Sequence, residues 1–427
     1  MSAIEYSWYF FEILLRVSII SSLFSSFICT VRIFDFFPNS NEIFWIDPKL
    51  IEYHTIFNHS SDKDFAHCVF DMSNDDGKVI GGDWDLEKYK FQGLKIFKAI
   101  KSRIEKNINW ETTDWYKELL SEIENGYERF GCINQDELNQ KCFRIDSLIE
   151  SIKEKGFLSH ADRVENYRES ISNPLIPDEI TVNIGRDGKY LFQNGRHRLS
   201  IAIALGIESI PIKVLVRHTD WVLKRNIFLK IASNSGGELY QPALHPDLED
   251  IPYRHDCEDR FNKIKDHIPN ISGTLLDVGS YLGYFCHKFE DLGVSCTAIE
   301  KMPEIAQINN IIKTSVNRKF HLEVGDVLDP DLMNRIGYKF DTLLLLNIFH
   351  HFLKTDYNYS AMKDWLQKIE TKHIIFEPHL PEENQMKDAY RNFDNQEFVD
   401  FIMKHTKKTQ SKPIHKAADG RTVFLLT

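Results

Sequence analysis

The sequence predicts an α/β protein in which a mostly parallel sheet with flanking helices fills the carboxy-terminal part and a smaller α+β domain precedes it. Three observations carry this expectation. From Phe261 onward, short apolar runs alternate with stretches of helical periodicity, the pattern of a parallel sheet whose crossovers are helices. Upstream, short strands flanked by Gly, Asp and Pro surround a long tract rich in Glu, Lys, Leu and Ile at helical spacing. The length of 427 residues exceeds one typical core and suits two.

Composition narrows the class. Hydrophobic residues at 42% and charged residues at 27% exclude large-scale disorder. The net charge of −11 weighs against a surface built for tight, sequence-independent binding to nucleic acid, although a local basic groove stays compatible with it. The seven cysteines are scattered and form no C-x-x-C pair. They indicate neither a disulfide partner nor a zinc knuckle, and a reducing, cytoplasmic setting fits them.

In chain order, residues 1–40 form an apolar segment interrupted by Glu12 and Arg16, with residues 17–31 as the longest uncharged run. As a helix that run would rise about 22 Å, short of the roughly 30 Å hydrocarbon core. It lacks a basic leader and a small-residue cleavage site, so a secretory signal is not expected. Three readings stay open: a helix packed on the protein, an interfacial helix giving peripheral membrane contact, and a true span.

The first domain is expected over residues 41–230. Residues 43–51 read as a strand that turns at Asp47-Pro48, and Gly77 to Asp85 as a short strand between glycines. A helical insertion covers 88–155, with three helices, the last over 135–155 and ended by Gly156. Asp187-Gly188 between apolar runs predicts a hairpin. A helix over 198–205 closed by Gly206 and a strand over 211–216 follow. Residues 231–260, with Asn-Ser-Gly-Gly, Pro turns and little periodicity, read as a linker. In the second domain, 261–427, strands are expected at 274–278, 295–299, 319–324, 342–346, 374–377 and 422–426.

The chemistry of the second domain concentrates at strand ends. Asp277-Val278-Gly279-Ser280-Tyr281-Leu282-Gly283 ends a strand and opens a helix, so its backbone approaches a ligand closely. Dinucleotide sites need a glycine two residues after the first, where the backbone meets a pyrophosphate. Here that place holds Tyr281, which disfavours NAD or FAD. Glu300 stands where an acidic group would meet a ribose. Asp326 and Val327 follow the third strand, and the apolar fourth strand empties into Asn347-Ile348-Phe349-His350-His351.

These four elements, in order, are similar to the class I S-adenosylmethionine-dependent methyltransferase family, with its Rossmann-like sheet. The resemblance implies S-adenosyl-L-methionine as cofactor, held by Asp277, Gly279, Ser280 and Gly283 on the methionine side, Glu300 at the ribose, Asp326 and Val327 at the adenine, and Asn347 near the methyl. No metal is required, because an activated methyl needs mainly alignment with its acceptor. His350 and His351 are the candidate catalytic bases, with Glu377 and His379 as second choices; a structural role for each remains open. The acceptor is not specified.

In the first domain, Asn194-Gly195-Arg196-His197-Arg198 follows a hairpin strand and opens a helix, a suitable place for a phosphate. The alternative is that Arg196 and Arg198 pair with carboxylates of the same domain. The hairpin, loop, helix and returning strand resemble the ParB/sulfiredoxin-like domain, which implies nucleotide or phosphate contact through Gly195, Arg196, His197 and Arg198. His197 separates the two arginines, a departure from that family's loop. Asp83-Trp84-Asp85 and Arg217 to Trp221 read as structural clusters or as paired carboxylates for a nucleotide-bound metal. Three whole-protein expectations follow: a methyltransferase with a nucleotide-recognising first half, a ParB-like nucleotide- or DNA-binding module with an inactive methyltransferase-like domain, or an interaction-only protein whose apolar amino terminus tethers an assembly to a membrane.

Overall fold

The computed structural model describes residues 42–55, 70–159 and 179–427. The apolar segment within residues 1–40 lies outside them. Among the described residues no helix is long and apolar enough to cross a membrane.

The first half is built on a seven-stranded mixed sheet. Its strands are β1 (Ile43–Ile46), β2 (Tyr53–Thr55), β3 (Lys78–Ile80), β4 (Lys88–Lys90), β5 (Ile180–Ile184), β6 (Tyr190–Asn194) and β7 (Ile210–His218). The path runs β1-β7-β5-β6-β2-β4, with β3 beside β7. β5 and β6 are the antiparallel hairpin expected around Asp187-Gly188, and β7 returns parallel to β5. Every residue of β7 is buried, which explains its unbroken apolar run from Val214 to Val216.

Three helices follow β4: α1 (Lys95–Lys106), α2 (Asp114–Glu124) and α3 (Gln135–Lys155). The side chains of Thr113 and Asn134 cap α2 and α3, and Gly156 ends α3 at φ 78°. The expected insertion is therefore helical except at its start, where Lys88–Lys90 pairs with β2 as an edge strand. Its two lysines and short length suit an edge.

α4 (Arg196–Leu205) begins two residues earlier than its apolar pattern suggests, because Gly195 at φ 94° makes the turn into it. α5 (Thr219–Asn234) carries the chain into residues 231–260. That stretch is not a linker. Leu239, His245, Asp247, Leu248 and Ile251 are buried in it. Asp247 accepts from Arg217 Nη2 at 2.6 Å and from Trp221 Nε1 at 2.8 Å, while Arg225 Nη1 reaches the Asp247 carbonyl. Periodicity failed to reveal this strap because it is held by buried charge and irregular turns rather than by a helical or strand face.

The second half follows with α6 (Glu258–His267), β8 (Thr274–Val278), α7 (Tyr284–Glu290), β9 (Ser295–Glu300), α8 (Pro303–Ser315) and β10 (His321–Val324). Then come α9 (Pro330–Ile336), β11 (Lys339–Leu346), α10 (Asp356–Lys368), β12 (Glu370–Glu377), α11 (Asn395–Thr406), β13 (Ser411–Lys416) and β14 (Thr422–Leu426). The strand order is β10-β9-β8-β11-β12-β14-β13. β8 to β12 pair in parallel, whereas β14 runs antiparallel to β12 and β13 antiparallel to β14. This is a Rossmann-like, mostly parallel sheet whose order reverses between β8 and β11, where ligands of open α/β folds bind. The hairpin of β13 and β14 was only half expected, since exposed Lys412 and Pro413 hide the edge strand.

The two halves share packing. One apolar cluster of the first half, with Ile180, Trp221 and Leu239, continues into Leu282, Ile305, Ile308 and Ile312. Gly188 illustrates the closeness: a Cβ there would sit 2.4 Å from Trp221 and 2.7 Å from the Ser315 side chain.

Candidate active site

A cavity of about 720 Å³ opens at the carboxyl ends of β8, β9, β10 and β11. Six of the eight residues singled out for a cofactor line it: Asp277, Gly279, Glu300, Asp326, Val327 and Asn347. His350 and His351 line it as well.

The glycine turn explains the approach of the walls. Gly279 sits at φ 72°, and a Cβ on it would meet Ile348 at 2.7 Å. The Gly279 and Ser280 amides both donate to the Ile299 carbonyl, at 2.9 and 3.0 Å, tying the turn to β9. Tyr281 takes a left-handed conformation, φ 52°, and Asn347 another at φ 51°. Such backbone is uncommon for a tyrosine and is often kept at functional sites, whereas asparagine adopts it more readily. Ser280 and Gly283 are not among the cavity-lining residues. Ser280 is buried, and Gly283 makes the left-handed entry to α7, where a Cβ would press on Asn309 and Phe320. Their work is in the turn rather than at the cavity wall.

The carboxylates differ in state. Burial, with the Glu300 charge nearby, raises Asp277 to about 7, and Cys286 Sγ donates to it at 3.9 Å. Glu300 is also shifted upward by burial, although its oxygens accept from the Met302 and Tyr281 amides at 2.9 and 3.0 Å. Each oxygen keeps a lone pair for a further donor such as a hydroxyl. Asp326 caps its own turn through the Leu328 amide and pairs with Lys301 at 2.8 Å.

At the other end, Asn347 Nδ2 donates to the Tyr240 hydroxyl at 2.8 Å, and its buried Oδ1 has no partner among the described residues. The rings of His350 and His351 stand 4.0 Å apart. Burial, then the neighbouring imidazoles His351 and His379, pushes His350 down to about 3, and burial lowers His351 too. Both are therefore neutral near pH 7. The second choices are engaged: Glu377 pairs with Arg260 at 2.8 Å, and His379 Nε2 donates to Asn392 Oδ1 at 2.8 Å.

Sequence reasoning missed the strap. Tyr240, Gln241, Arg254 and His255 line the cavity from the first half, and Gln385 and Arg421 from loops of the second. The Tyr240 ring packs edge-on against Tyr281 at 5.7 Å, and its amide donates to the Tyr281 hydroxyl at 3.3 Å. Tyr281 thus fills the place of the dinucleotide glycine and also anchors the strap.

The residues fit an adenosine-bearing amino acid. A side-chain-free cradle stands at Gly279, an acid with hydroxyl-accepting capacity at Glu300, and an orphaned buried amide oxygen at Asn347.

The loop Gly195 to Arg198 is not among the residues lining this cavity. Arg196 lies over the Phe130 ring at 4.6 Å. Arg198 donates to the Leu158 carbonyl at 3.0 Å and faces Glu179 at 3.7 Å, the carboxylate-pairing alternative. His197 is lowered to about 3 by burial and by Arg196 and Lys141. Asp83 and Asp85 converge on a guanidinium instead of a metal: Arg186 donates to both, at 2.9 Å in each case, and Asp85 is fully buried. Among the described residues no group of three or more metal-ligating side chains is present.

No protein-family model matches this chain, and no curated protein matches it. Among solved structures, the bifunctional kinase-methyltransferase WbdD is similar over 47% of this chain and 46% of its own, with 18% identity and a TM-score of 0.38. The match spans under half of that protein's length. The PH0226 protein from Pyrococcus horikoshii OT3 is similar over 40% of this chain and 88% of its own, with 10% identity and a TM-score of 0.31. The N-terminal domain of EvdMO1, solved with SAH bound, is similar over 40% of this chain and 80% of its own, with 14% identity and a TM-score of 0.31. The ParB/sulfiredoxin-like reading of the first half gains no support from them.

Proposed function

We propose that this protein transfers a methyl group from S-adenosyl-L-methionine to an acceptor held between the second half and the strap of the first. The observation that carries the reading is the cavity at the sheet's reversal point, where Gly279 leaves room for a ligand and Tyr281 occupies the place a pyrophosphate would need. Glu300 would accept from the ribose hydroxyls, Asp326 and Val327 would flank the adenine, and Asp277 would face the amino-acid end. When bound, the cofactor supplies an electrophilic methyl. The chain's contribution is to align the acceptor at Asn347 and exclude water with the strap.

The acidic, doubly hydrogen-bonded Glu300 and the neutral Asn347 and His350 form a polar track, and the cations beside it, Lys301 and Arg421, are already paired with Asp326 and with Glu383 and Asp419, which favours a nucleoside over a dinucleotide. A co-crystal structure with S-adenosylhomocysteine tests the assignment. The expected density places the ribose on Glu300 and the sulfur beside Asn347. A ligand bound elsewhere, or none at saturating concentration, contradicts it.

A nucleotide-binding role for Gly195 to Arg198 remains a separate proposal. It is weakened at Arg198, whose guanidinium already faces Glu179.

A further inference from the structure

Transfer to an O–H or N–H acceptor needs a proton acceptor, and the cavity holds three imidazoles in its wall, His255, His350 and His351. Their surroundings separate them. His350 is crowded by His351 and His379, which oppose a charge on it, and the more favourable Glu383 only partly offsets them. His351 faces the lysines Lys354 and Lys301 and gains no carboxylate. The two rings also stand 4.0 Å apart, so a charge on His351 opposes one on His350.

His255 is different. It belongs to the strap, follows the Leu239 to Tyr253 pairing, and is held by its amide on the Tyr240 carbonyl at 3.2 Å. Its ring packs on Tyr240 at 4.5 Å between centroids, and the Tyr240 hydroxyl in turn meets Asn347. That chain of contacts links the imidazole, through Tyr240, to the asparagine that the proposed function sets near the methyl. Its Nδ1 faces Asp419 Oδ2 at 3.6 Å, while Nε2 has no hydrogen-bond partner among the described residues. The Asp419 contact is longer than a hydrogen bond, and Asp419 Oδ2 also accepts from Arg421 Nη1 at 2.8 Å and Arg260 Nη2 at 3.4 Å, so the carboxylate acts on the ring as a nearby negative charge that favours its protonated form.

Resting on the methyltransferase reading, we propose that His255, with the Asp419 carboxylate beside it, is the proton acceptor of the transfer. The acceptor's lone pair forms the bond to the methyl carbon. The carbon–sulfur bond breaks with its electron pair going to sulfur, leaving S-adenosylhomocysteine, and the acceptor's proton passes to Nε2 of His255. The proton then leaves to solvent. The groups facing the ring are Arg260 from α6, Asp419 and Arg421 from the turn between β13 and β14, and Arg254 and Tyr240 from the strap itself. Burial and the guanidiniums keep the ring neutral at rest, and Asp419 opposes them. A base must be neutral before it can accept.

The test uses the full chain with His255→Gln and Asp419→Asn. Binding of S-adenosylhomocysteine reports the cofactor site, incorporation of labelled methyl from S-adenosylmethionine into a small-molecule cell extract reports transfer, and NMR of histidine-labelled protein reports the imidazole directly. His255→Gln is expected to bind S-adenosylhomocysteine within about threefold of the native protein and to lose on the order of 100-fold or more in transfer. Asp419→Asn is expected to move the His255 titration to lower pH, with the pH profile of transfer moving alike. Native-level transfer in His255→Gln, or an unmoved His255 titration in Asp419→Asn, overturns the assignment. If the extract yields no product, the titration alone decides. Failure of the native chain to bind S-adenosylhomocysteine overturns the methyltransferase reading instead, and this inference with it.

Discussion

The Tyr240 hydroxyl accepts a hydrogen bond from Asn347 Nδ2 at 2.8 Å, joining a strap of the first half to the end of β11 in the second. Tyr240 is largely buried, which raises its phenol, and the bond fixes an asparagine whose backbone is already left-handed. Removing the hydroxyl leaves a buried amide without its acceptor, a loss of about 1–3 kcal/mol. Tyr240→Phe is therefore expected to weaken S-adenosylhomocysteine binding about tenfold while the fold persists, as checked by calorimetry and a thermal melt.

Gly279 admits no side chain. Its φ of 72° and the 2.7 Å approach of Ile348 act together, so Gly279→Ala is expected to destabilise the protein by about 1–3 kcal/mol and to abolish cofactor binding. Ile348→Ala added to Gly279→Ala relieves only the clash. A double variant that melts above the single one but still fails to bind separates contact from backbone conformation.

The strap depends on Asp247, fully buried between Arg217 and Trp221. Asp247→Ala leaves the Arg217 guanidinium buried and unpaired, at a cost of about 3–5 kcal/mol in denaturant unfolding. The pairing with Arg217 also holds the carboxyl below its ordinary range against the effect of burial. A depressed carboxyl stabilises the fold above its unfolded value near 4, and that stability is lost as pH falls through the lower folded value. The native protein is expected to weaken below about pH 4 by more than Asp247→Ala does.

Asp277 titrates the other way. Raised to about 7, it is protonated in the free protein over a range where the unfolded chain would ionise it, so it costs stability as pH rises from about 4 to about 7. A cofactor ammonium beside it would favour the ionised form. Binding is then expected to release a proton below about pH 7, with affinity rising as pH rises toward that value. Calorimetry in buffers of different ionisation enthalpy measures the release, and Asp277→Asn should abolish it.

Much of the second half was legible because parallel strands buried on both faces leave unbroken apolar runs, as in Leu343 to Leu346, and each run ends where the ligand side chains stand. Gly279, Glu300, Asp326 and Asn347 were found this way and do line one cavity. Ser280 and Gly283 belong to the same turn in sequence, yet Ser280 is buried within it and Gly283 is pressed against Asn309 and Phe320, which only the fold reveals. Tyr240 and His255 gave no signal at all. They sit in irregular chain ordered by Asp247, Arg217 and Arg225, and ion pairs separated by about 20 to 30 residues leave no periodic trace. The helix start at Arg196 was misplaced because Gly195 supplies a turn that periodicity cannot register.

The most direct measurement is calorimetric titration of the full chain with S-adenosylhomocysteine, with NAD as the control. One site of micromolar affinity for the first and no heat from the second is the predicted result. No binding of S-adenosylhomocysteine at millimolar concentration, or tighter binding of NAD, would contradict the account.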